Sequence, residues 1–295
     1  MDCISRKAYA KINLGLDVLR RRPDGYHEVK MVMQTVDIWD LLTFKKTEEP
    51  GIFLKTDKEE LPAGKDNLIY KAAAAIFEEY GAQSFGVKIT LKKQIPIAAG
   101  MAGGSTDAAA VFYGLNELFG LGMSLQDMQR IGVRLGADIP YCLMGGTALA
   151  EGIGERLTAL PPPPDCHLVI AKPDIDVSTK FVYENLHADT LKEHPDIDGM
   201  TQAICRGSLA GITGRMGNVL ETVTVRAYPV IDQIKRKMLE RGAENALMSG
   251  SGPTVFGLFT DKERAAGAAK EIRGAGLAGQ VFVTEFYNPE KAAGA

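Results

Sequence analysis

The sequence predicts a two-domain α+β protein. Strand-like segments cluster ahead of helix-like segments instead of alternating with them in a regular βαβ succession. At 295 residues, the chain exceeds the size at which one hydrophobic core usually stops growing. The four prolines at 161–164 form the stiffest linker-like segment, and we place the domain boundary there. We expect an N-terminal domain over residues 1–160, a C-terminal domain over 161–288 and a frayed tail over 289–295.

The first element is a strand over residues 8–19. Apolar residues occupy every second position from Ile12 to Val18, which is the period of a half-buried strand. Lys11 and Asn13 therefore point to the same side of it. The turn-rich segment RRRPDGYHE follows, and a second strand-like run covers residues 29–36.

Helix signals follow in the middle of the N-terminal half. Asp66 or Asn67 can cap a helix that carries an apolar stripe and ends at Gly81. The segment VKITLKK then alternates as a strand does. After it, a glycine-rich loop leads into an Ala-rich helix that we expect from about Ser105.

The remaining elements are bounded by caps, prolines and glycines. A helix starts with a capping-box-like signal at Ser124 and stops at Gly136, directly before the segment GADIPY. The second half opens with the strand HLVIAKP and contains a helix with Pro229 at its start and Gly242 after its end. It closes with the strand VFGLF, a helix over residues 261–273 and the strand VFVTEF.

Composition and charge exclude several classes of protein. Apolar residues make up 45% and charged residues 24%, as in ordinary globular proteins. The formal net charge is -3 without a long basic run, so we expect no nucleic-acid partner. No signal-peptide pattern or membrane-spanning apolar stretch occurs, so we expect no membrane contact and a cytoplasmic location. The cysteines and histidines lack the spacing of zinc sites or disulfide frameworks.

The glycine-rich loop PIAAGMAGGSTDAAA is the most informative segment. Gly100, Gly103 and Gly104 allow backbone N–H groups to approach a ligand closely, and the helix after them offers a positive dipole end. Together these features suit phosphate groups, although a flexible loop before a helix has the same composition. The loop matches neither the Walker A pattern nor the dinucleotide fingerprint G-x-G-x-x-G.

Three segments in order resemble the GHMP kinases. They are AKINLGL near the N-terminus, the glycine-rich loop, and LMSGSGPTVFGLF near the C-terminus. Within this superfamily, the chain resembles the GHMP kinases of the non-mevalonate isoprenoid pathway. The segments that carry this narrower resemblance are PDGYHE, LGADIPYCLMGGTALAEGIGE and VSTKFVY. The resemblance spans nearly the whole chain. One departure is AAGMAGGST, where many relatives carry more glycine or paired serines.

The resemblance carries expectations about fold and ligands. It implies an N-terminal domain like domain 2 of ribosomal protein S5 and a ferredoxin-like α/β C-terminal domain. It implies ATP and Mg²⁺ as cofactors, and a cytidine diphosphate-linked methylerythritol as the small-molecule acceptor of a phosphoryl group. We expect a monomer or weak homodimer.

Lys11 and Asp138 match the catalytic pair of this family. Phosphoryl transfer to an alcohol needs a group that accepts or steers the hydroxyl proton, together with cations and close alignment. A cation beside a carboxylate would keep it ionised and stabilise a developing alkoxide. Without the resemblance, Asp138 would be read as a turn residue and Lys11 as a solvated strand lysine.

Four residues are expected to bind the acceptor substrate. Asn13 can hydrogen-bond the acceptor alcohol, because it shares the face of Lys11. Tyr26, His27 and Tyr183 match a cytidine pocket, since a pyrimidine needs a stacking surface and hydrogen bonds to its edge. Taken singly, they could equally be turn or core residues.

The ATP site is expected to combine the loop with a nearby wall. Asp66, Asn67, Leu68 and Ile69 resemble the adenine-side wall, and Lys93 lies where the family has a nucleotide-contacting lysine. Helix capping and a solvated charge are their plainer roles. The loop residues expected to contact ATP are Pro96, Ala98, Ala99, Gly100, Met101, Ala102, Gly103, Gly104, Ser105 and Thr106. Ser105 and Thr106 could touch phosphates or Mg²⁺, and the metal ligands are left unassigned.

Two other functions remain open from the sequence. Another GHMP enzyme, of the mevalonate or homoserine type, would share the loop but not PDGYHE. A non-catalytic nucleotide sensor on the same fold would not need both Lys11 and Asp138.

Overall fold

The structure is a computed structural model that describes residues 2–81 and 84–289. The chain forms two compact units, each built from separate segments. Unit 1 comprises residues 1–10, 38–95 and 102–144, and unit 2 comprises residues 11–37, 96–101 and 145–295. Within the described ranges, no helix combines the length and apolar character needed to cross a bilayer.

The domain boundary expected at residue 160 stays a prediction, because units defined by contacts need not coincide with domains of a family. The frayed tail expected over 289–295 lies outside the described residues, apart from Pro289.

Two long strands pair with each other and run through both units. They are β1 (Cys3–Arg21) and β2 (His27–Lys46), and both are longer than the predicted segments 8–19 and 29–36. The turn between them closes with a hydrogen bond from the Arg22 N–H to the Tyr26 carbonyl, at 2.8 Å. Gly25 has a φ of 88° there, a conformation that glycine adopts without strain.

Unit 1 places helices against a small sheet. Its elements besides β1 and β2 are β3 (Gly51–Thr56), β4 (Gly86–Lys92), α1 (Leu68–Glu79), α2 (Gly103–Phe119), α3 (Leu125–Gly132) and α4 (Ile139–Met144). The second half of β2 pairs antiparallel with β4, and β3 pairs parallel with β4.

The predicted caps are confirmed in unit 1. The Asn67 side chain accepts a hydrogen bond from the Ile69 N–H, and Ser124 forms a capping box with Asp127. The helix after Ser124 ends at Gly132, earlier than predicted. A further helix, α4, was not predicted from GADIPY, although proline is tolerated in the first turn of a helix.

The core of unit 1 lies between helices α1 and α2 and the buried face of β2 and β4. Phe44, Ile76, Ile89 and Phe112 are fully buried there. Helix α2 carries Gly114 opposite Phe44 of β2, where a Cβ would lie 2.5 Å from Phe44 Cε2. The missing side chain therefore sets how closely the helix packs on the sheet.

Unit 2 contains the first half of β2 and the elements that follow α4. They are β5 (Thr147–Gly152), β6 (Arg156–Leu160), β7 (His167–Lys172), α5 (Thr179–Asn185), α6 (Ile197–Cys205), α7 (Leu209–Thr213), α8 (Glu221–Ala227), α9 (Val230–Glu240), β8 (Asn245–Met248), β9 (Val255–Phe259), α10 (Lys262–Gly274) and β10 (Gln280–Glu285). The first half of β2 pairs antiparallel with β5, and β5 pairs with β6. A separate antiparallel sheet has the order β10-β7-β9-β8.

The separate sheet confirms the ferredoxin-like expectation. In chain order it reads strand, helices, two strands, helix, strand, and its spatial order is fourth, first, third, second. Helix α9 packs on β8 and β9, and α10 packs on β7 and β10. Pro229 precedes α9 and Gly242 follows it with a φ of 86°, as predicted.

We expect Gly114→Ala to lower the free energy of unfolding by about 1–3 kcal/mol, because the added methyl group overpacks the contact with Phe44. This loss should appear although alanine favours a helix over glycine by about 1 kcal/mol. The matched control is Gly267→Ala in α10, where no atom lies within 4 Å of the new Cβ, and it should be neutral or stabilising. Urea denaturation measures both, and a Gly114→Ala protein as stable as wild type would contradict the contact.

Candidate active site

Within unit 2, the three sequence motifs meet at the glycine-rich loop. The Lys11 N–H of the first motif donates to the Met101 carbonyl of the loop, at 3.2 Å. The Ser249 hydroxyl of the third motif donates to the Gly100 carbonyl, at 3.0 Å. The loop is therefore held on one side by β1 and on the other by the turn after β8.

Gly100 cannot carry a side chain in this arrangement. Its φ is 70°, and a Cβ there would overlap the Ser249 carbonyl oxygen. Asn218 stabilises the turn that contains Ser249, because its Nδ2 donates to the Met248 and Gly250 carbonyls, each at 2.8 Å. Close backbone approach is the reason that this part of the loop needs glycine.

Two alanines in the loop adopt the left-handed conformation. Ala98 has a φ of 51° and Ala102, which caps α2, a φ of 55°. Such a conformation costs a non-glycine residue about 1–2 kcal/mol. Strain of this kind is frequently kept at ligand sites. Pro96, Ala99 and Met101 of the loop are buried.

Lys11 and Asn13 lie side by side on β1, as their spacing predicts. Both are buried, and Lys11 Nζ donates to Asn13 Oδ1 at 2.8 Å. Asn13 Nδ2 donates to Met31 Sδ at 3.2 Å. A thioether is a weak acceptor, so this amide hydrogen can be given up to a stronger acceptor at little cost.

His27 and Tyr183 also come together, within unit 2. Their ring centroids are 5.1 Å apart with the planes tilted by 40°. Burial, with a contribution from Arg21, lowers the pKa of His27, so the imidazole is neutral at pH 7 and offers one donor and one acceptor. Tyr26, expected in the same pocket, is 59% exposed on the turn that precedes His27.

In unit 1, the first turn of α2 lies against the expected adenine-side wall. A Cβ on Gly104 would lie 3.3 Å from Leu68 Cδ1, at the start of α1. Asn67 uses its side chain for the cap and for a 2.8 Å bond to the Pro62 carbonyl. Asp66 is exposed beside it, and Ile69 is buried beneath it.

Lys93 lies under the same turn, held by two carboxylates. Its Nζ is 2.5 Å from Asp40 Oδ2 and 2.6 Å from Asp107 Oδ2, and all three residues are buried. Burial alone would lower the pKa of Lys93, but the two carboxylates outweigh it and raise that pKa. Burial raises the pKa of Asp107 well above its ordinary value, although Lys93 acts against this shift.

Asp138 is half-buried on the turn before α4, as predicted. Its carbonyl accepts the Cys142 N–H at 3.0 Å, which starts that helix. In the first turn of α2, the Thr106 hydroxyl donates to the Tyr9 carbonyl at 2.8 Å, and Ser105 is half-buried. The partnership of Lys11 with Asp138 stays a prediction.

Sequence reasoning missed Asp40, Asp107 and Asn218. Asp107 lies inside the motif PIAAGMAGGSTDAAA, where a charged residue in an apolar helix is a visible signal. Asp40 stands in the apolar segment IWDLLTF in the same way. Nothing local marks Asn218, because its partners are 30 and 32 residues away in the chain.

Comparisons with known proteins support the resemblance. The family model described as GHMP kinases N terminal domain matches residues 67–146, and the one described as GHMP kinases C terminal matches residues 200–277. The 4-diphosphocytidyl-2-C-methyl-D-erythritol kinase of Lachnoclostridium phytofermentans is 52% identical over 97% of this chain and 98% of its own length. The kinase of the same name from Lachnospira eligens is 52% identical over 98% of this chain and 100% of its own length.

The solved structures give the same result. The crystal structure of 4-(cytidine 5'-diphospho)-2C-methyl-D-erythritol kinase is 33% identical, with a TM-score of 0.82 over 97% of this chain and 100% of that chain. These matches confirm the expected GHMP kinase fold.

We expect Gly103→Val to weaken binding of a non-hydrolysable ATP analogue far more than binding of CMP. A Cβ on Gly103 would already lie 3.1 Å from Lys93 Nζ, and a β-branched side chain would also block approach of phosphates to the backbone. Calorimetric titration with both ligands is the measurement. The control is Gly64→Val, in a loop of the same unit where nothing lies within 4 Å of the Cβ. Equal weakening of both ligands would point to misfolding. Unchanged binding of the ATP analogue would refute the predicted phosphate site at the start of α2.

Proposed function

Because the chain belongs to the 4-diphosphocytidyl-2-C-methyl-D-erythritol kinase family of the GHMP kinases, we propose that it phosphorylates the 2-hydroxyl of that cytidyl compound, with ATP as donor. The observation that carries this function is 52% identity across nearly the whole chain. The activity is that of a transferase in isoprenoid biosynthesis. The mevalonate-type, homoserine-type and sensor alternatives are not favoured by the relatives.

The acceptor side uses residues of unit 2. Asn13 donates its Nδ2 hydrogen to the acceptor oxygen in exchange for the weak bond to Met31. Lys11 fixes the amide by donating to its Oδ1, so the amide orientation is set before substrate binds. His27 and Tyr183 hold the cytosine, His27 through hydrogen bonds to its edge and Tyr183 through its ring face. Tyr26 closes over them from the exposed turn.

The nucleotide side uses the loop and the first turns of α1 and α2. Backbone N–H groups at the start of α2 bind the phosphates, because they have no partners within the helix and lie at its positive end. The wall at Asp66, Asn67, Leu68 and Ile69 faces the adenine. Gly104 brings Leu68 close to the phosphate turn.

Mg²⁺ reaches this protein with ATP. Such an ion takes most of its ligands from phosphates and water, so one hydroxyl fits it without a preformed cage. Among the described residues no group of three or more His, Cys, Asp or Glu could hold a metal. Because Thr106 donates to the Tyr9 carbonyl, we assign the hydroxyl of Ser105 to the phosphates or the ion. When bound, the ion would supply positive charge to the transferred phosphoryl group.

Asp138 accepts or steers the proton of the attacking hydroxyl. The bond that forms joins the acceptor oxygen to the γ-phosphorus, and the bond that breaks releases ADP. Lys11 supplies positive charge while the alcohol becomes an alkoxide. Little covalent chemistry is needed from the protein, so positioning and electrostatics account for most of the rate.

ADP release in a coupled assay should depend on the cytidyl substrate and should not respond to mevalonate or homoserine. In that assay, Asp138→Ala should lower kcat by at least about 10²-fold, because it removes a positioned proton acceptor, while both ligands still bind. Asp176→Ala, an exposed aspartate paired with Lys172, is the matched control and should behave as wild type. A near wild-type kcat for Asp138→Ala would remove that residue from the mechanism.

Tyr183→Ala should raise KM for the cytidyl substrate and leave KM for ATP unchanged, because it removes a stacking face worth about 1–3 kcal/mol. His27→Ala should act in the same direction through lost hydrogen bonds. Phe181→Ala is the control, since this aromatic residue of the same helix is 42% exposed.

Competition with CMP tests the cytidine pocket without a variant. CMP at millimolar concentration should inhibit the kinase and raise its melting temperature. If it does neither, the assignment of the pocket is wrong and only the kinase fold is left.

A further inference from the structure

The buried cluster of Lys93, Asp40 and Asp107 has no part in the chemistry described above. Lys93 follows directly after β4, Asp40 lies in β2 and Asp107 lies in the first turns of α2. The side chains of Lys93, Asp40 and Asp107 are 4%, 0% and 3% exposed. All three belong to unit 1.

Asp40 holds the backbone that enters the loop. Its Oδ1 accepts the N–H groups of Gln94 at 2.5 Å and Ile95 at 2.8 Å. The Lys93 N–H donates to Asp57 Oδ1 at 3.0 Å. Three consecutive N–H groups before the loop are therefore fixed by carboxylates.

Lys93 connects that backbone to the first turn of α2. Its Nζ bonds Asp107, and it also lies 3.1 Å from the position of a Cβ on Gly103, four residues earlier and one turn away. On the same turn, Thr106 donates to the Tyr9 carbonyl. The turn that presents N–H groups to phosphates is thus fixed at two points.

The cluster is costly if its role is stability alone. Burying charges carries a desolvation penalty that their attraction often fails to offset, and apolar residues of similar size are frequently as stable. Asp107 Oδ1 is buried without a hydrogen-bond partner among the described residues, which adds to that cost. Unlike apolar side chains, these three side chains form hydrogen bonds that fix the position of each group.

We propose that Lys93, Asp40 and Asp107 are positioning residues that hold the first turn of α2 in the geometry that binds phosphate, with Lys93 acting through Gly103 and Asp107 instead of touching ATP. This role rests on the proposed binding of phosphates by the backbone N–H groups at the start of α2. It differs from direct nucleotide contact by Lys93, because direct contact gives Asp40 no part in ATP binding.

The test compares Lys93→Met, Asp40→Asn and the double variant. Each single change should raise KM for ATP, and weaken a non-hydrolysable ATP analogue in calorimetry, by about 10- to 100-fold, the scale of a misplaced binding group. KM for the acceptor should stay within about twofold. The double variant should bind the analogue no more weakly than the weaker-binding single variant, because the effects of substitutions within one network are not additive. Lys92→Met, the exposed neighbour, is the charge-matched control and should change nothing.

Two results would overturn the proposal. If Asp40→Asn binds the analogue with wild-type affinity while Lys93→Met binds it weakly, Lys93 contacts ATP directly. Equal changes in both KM values, together with a lower melting temperature, would show a general structural role.

A variant without buried charge covers the case in which Lys93→Met does not fold. The triple variant Lys93→Met/Asp40→Asn/Asp107→Asn should have a melting temperature near that of the wild type and still bind the analogue weakly. Wild-type affinity of this variant for the analogue would contradict the proposal. The binding measurement needs no acceptor. If the wild type binds the analogue but lacks kinase activity on the cytidyl compound, the proposed function fails while the positioning role is still tested.

Discussion

The backbone contact between Gly100 and the turn at Ser249 fixes the arrangement of unit 2 around the loop. No side chain can stand at position 100, since a Cβ would overlap a carbonyl oxygen. Because that space is empty, the Ser249 hydroxyl reaches the Gly100 carbonyl, and the Lys11 N–H reaches the Met101 carbonyl. A single glycine thus allows two distant segments to hold the loop, and Asn13 lies 3.6 Å from a Cβ position on the neighbouring turn at Gly250.

The same hydrogen bonds explain how the loop tolerates strained residues. Ala98 and Ala102 hold left-handed conformations that glycine would adopt more easily. Such strain persists only where the surroundings determine the backbone, as the bonds at Gly100 and Met101 do here. Alanine also restricts the unfolded chain more than glycine does, which offsets part of the cost. The two alanines are therefore compatible with the left-handed turns that this loop requires.

Local patterns in the sequence predicted the local features of the structure. Strand period placed Lys11 and Asn13 on one face, and capping rules located the starts of α1 and α3. Helix α4 was missed because the segment GADIPY carries turn residues and no apolar stripe that would mark a helix, although a proline in the first turn loses no helical hydrogen bond. Lys93 was read as a surface charge or a ligand contact because its partners lie 53 and 14 residues away. Nothing in a local pattern reports such partners.

The division into units separates some of the expected ligand contacts, but not all of them. The expected acceptor residues Asn13, Tyr26, His27 and Tyr183 belong to unit 2, together with the loop residues 96–101 that are expected to contact ATP. The expected adenine wall and the first turn of α2 belong to unit 1. Residues in one packed unit share their packing strain and hydrogen-bond networks, so their substitutions couple to one another more than to a separate unit. Separate KM values for ATP and for the acceptor therefore report where each substituted residue acts.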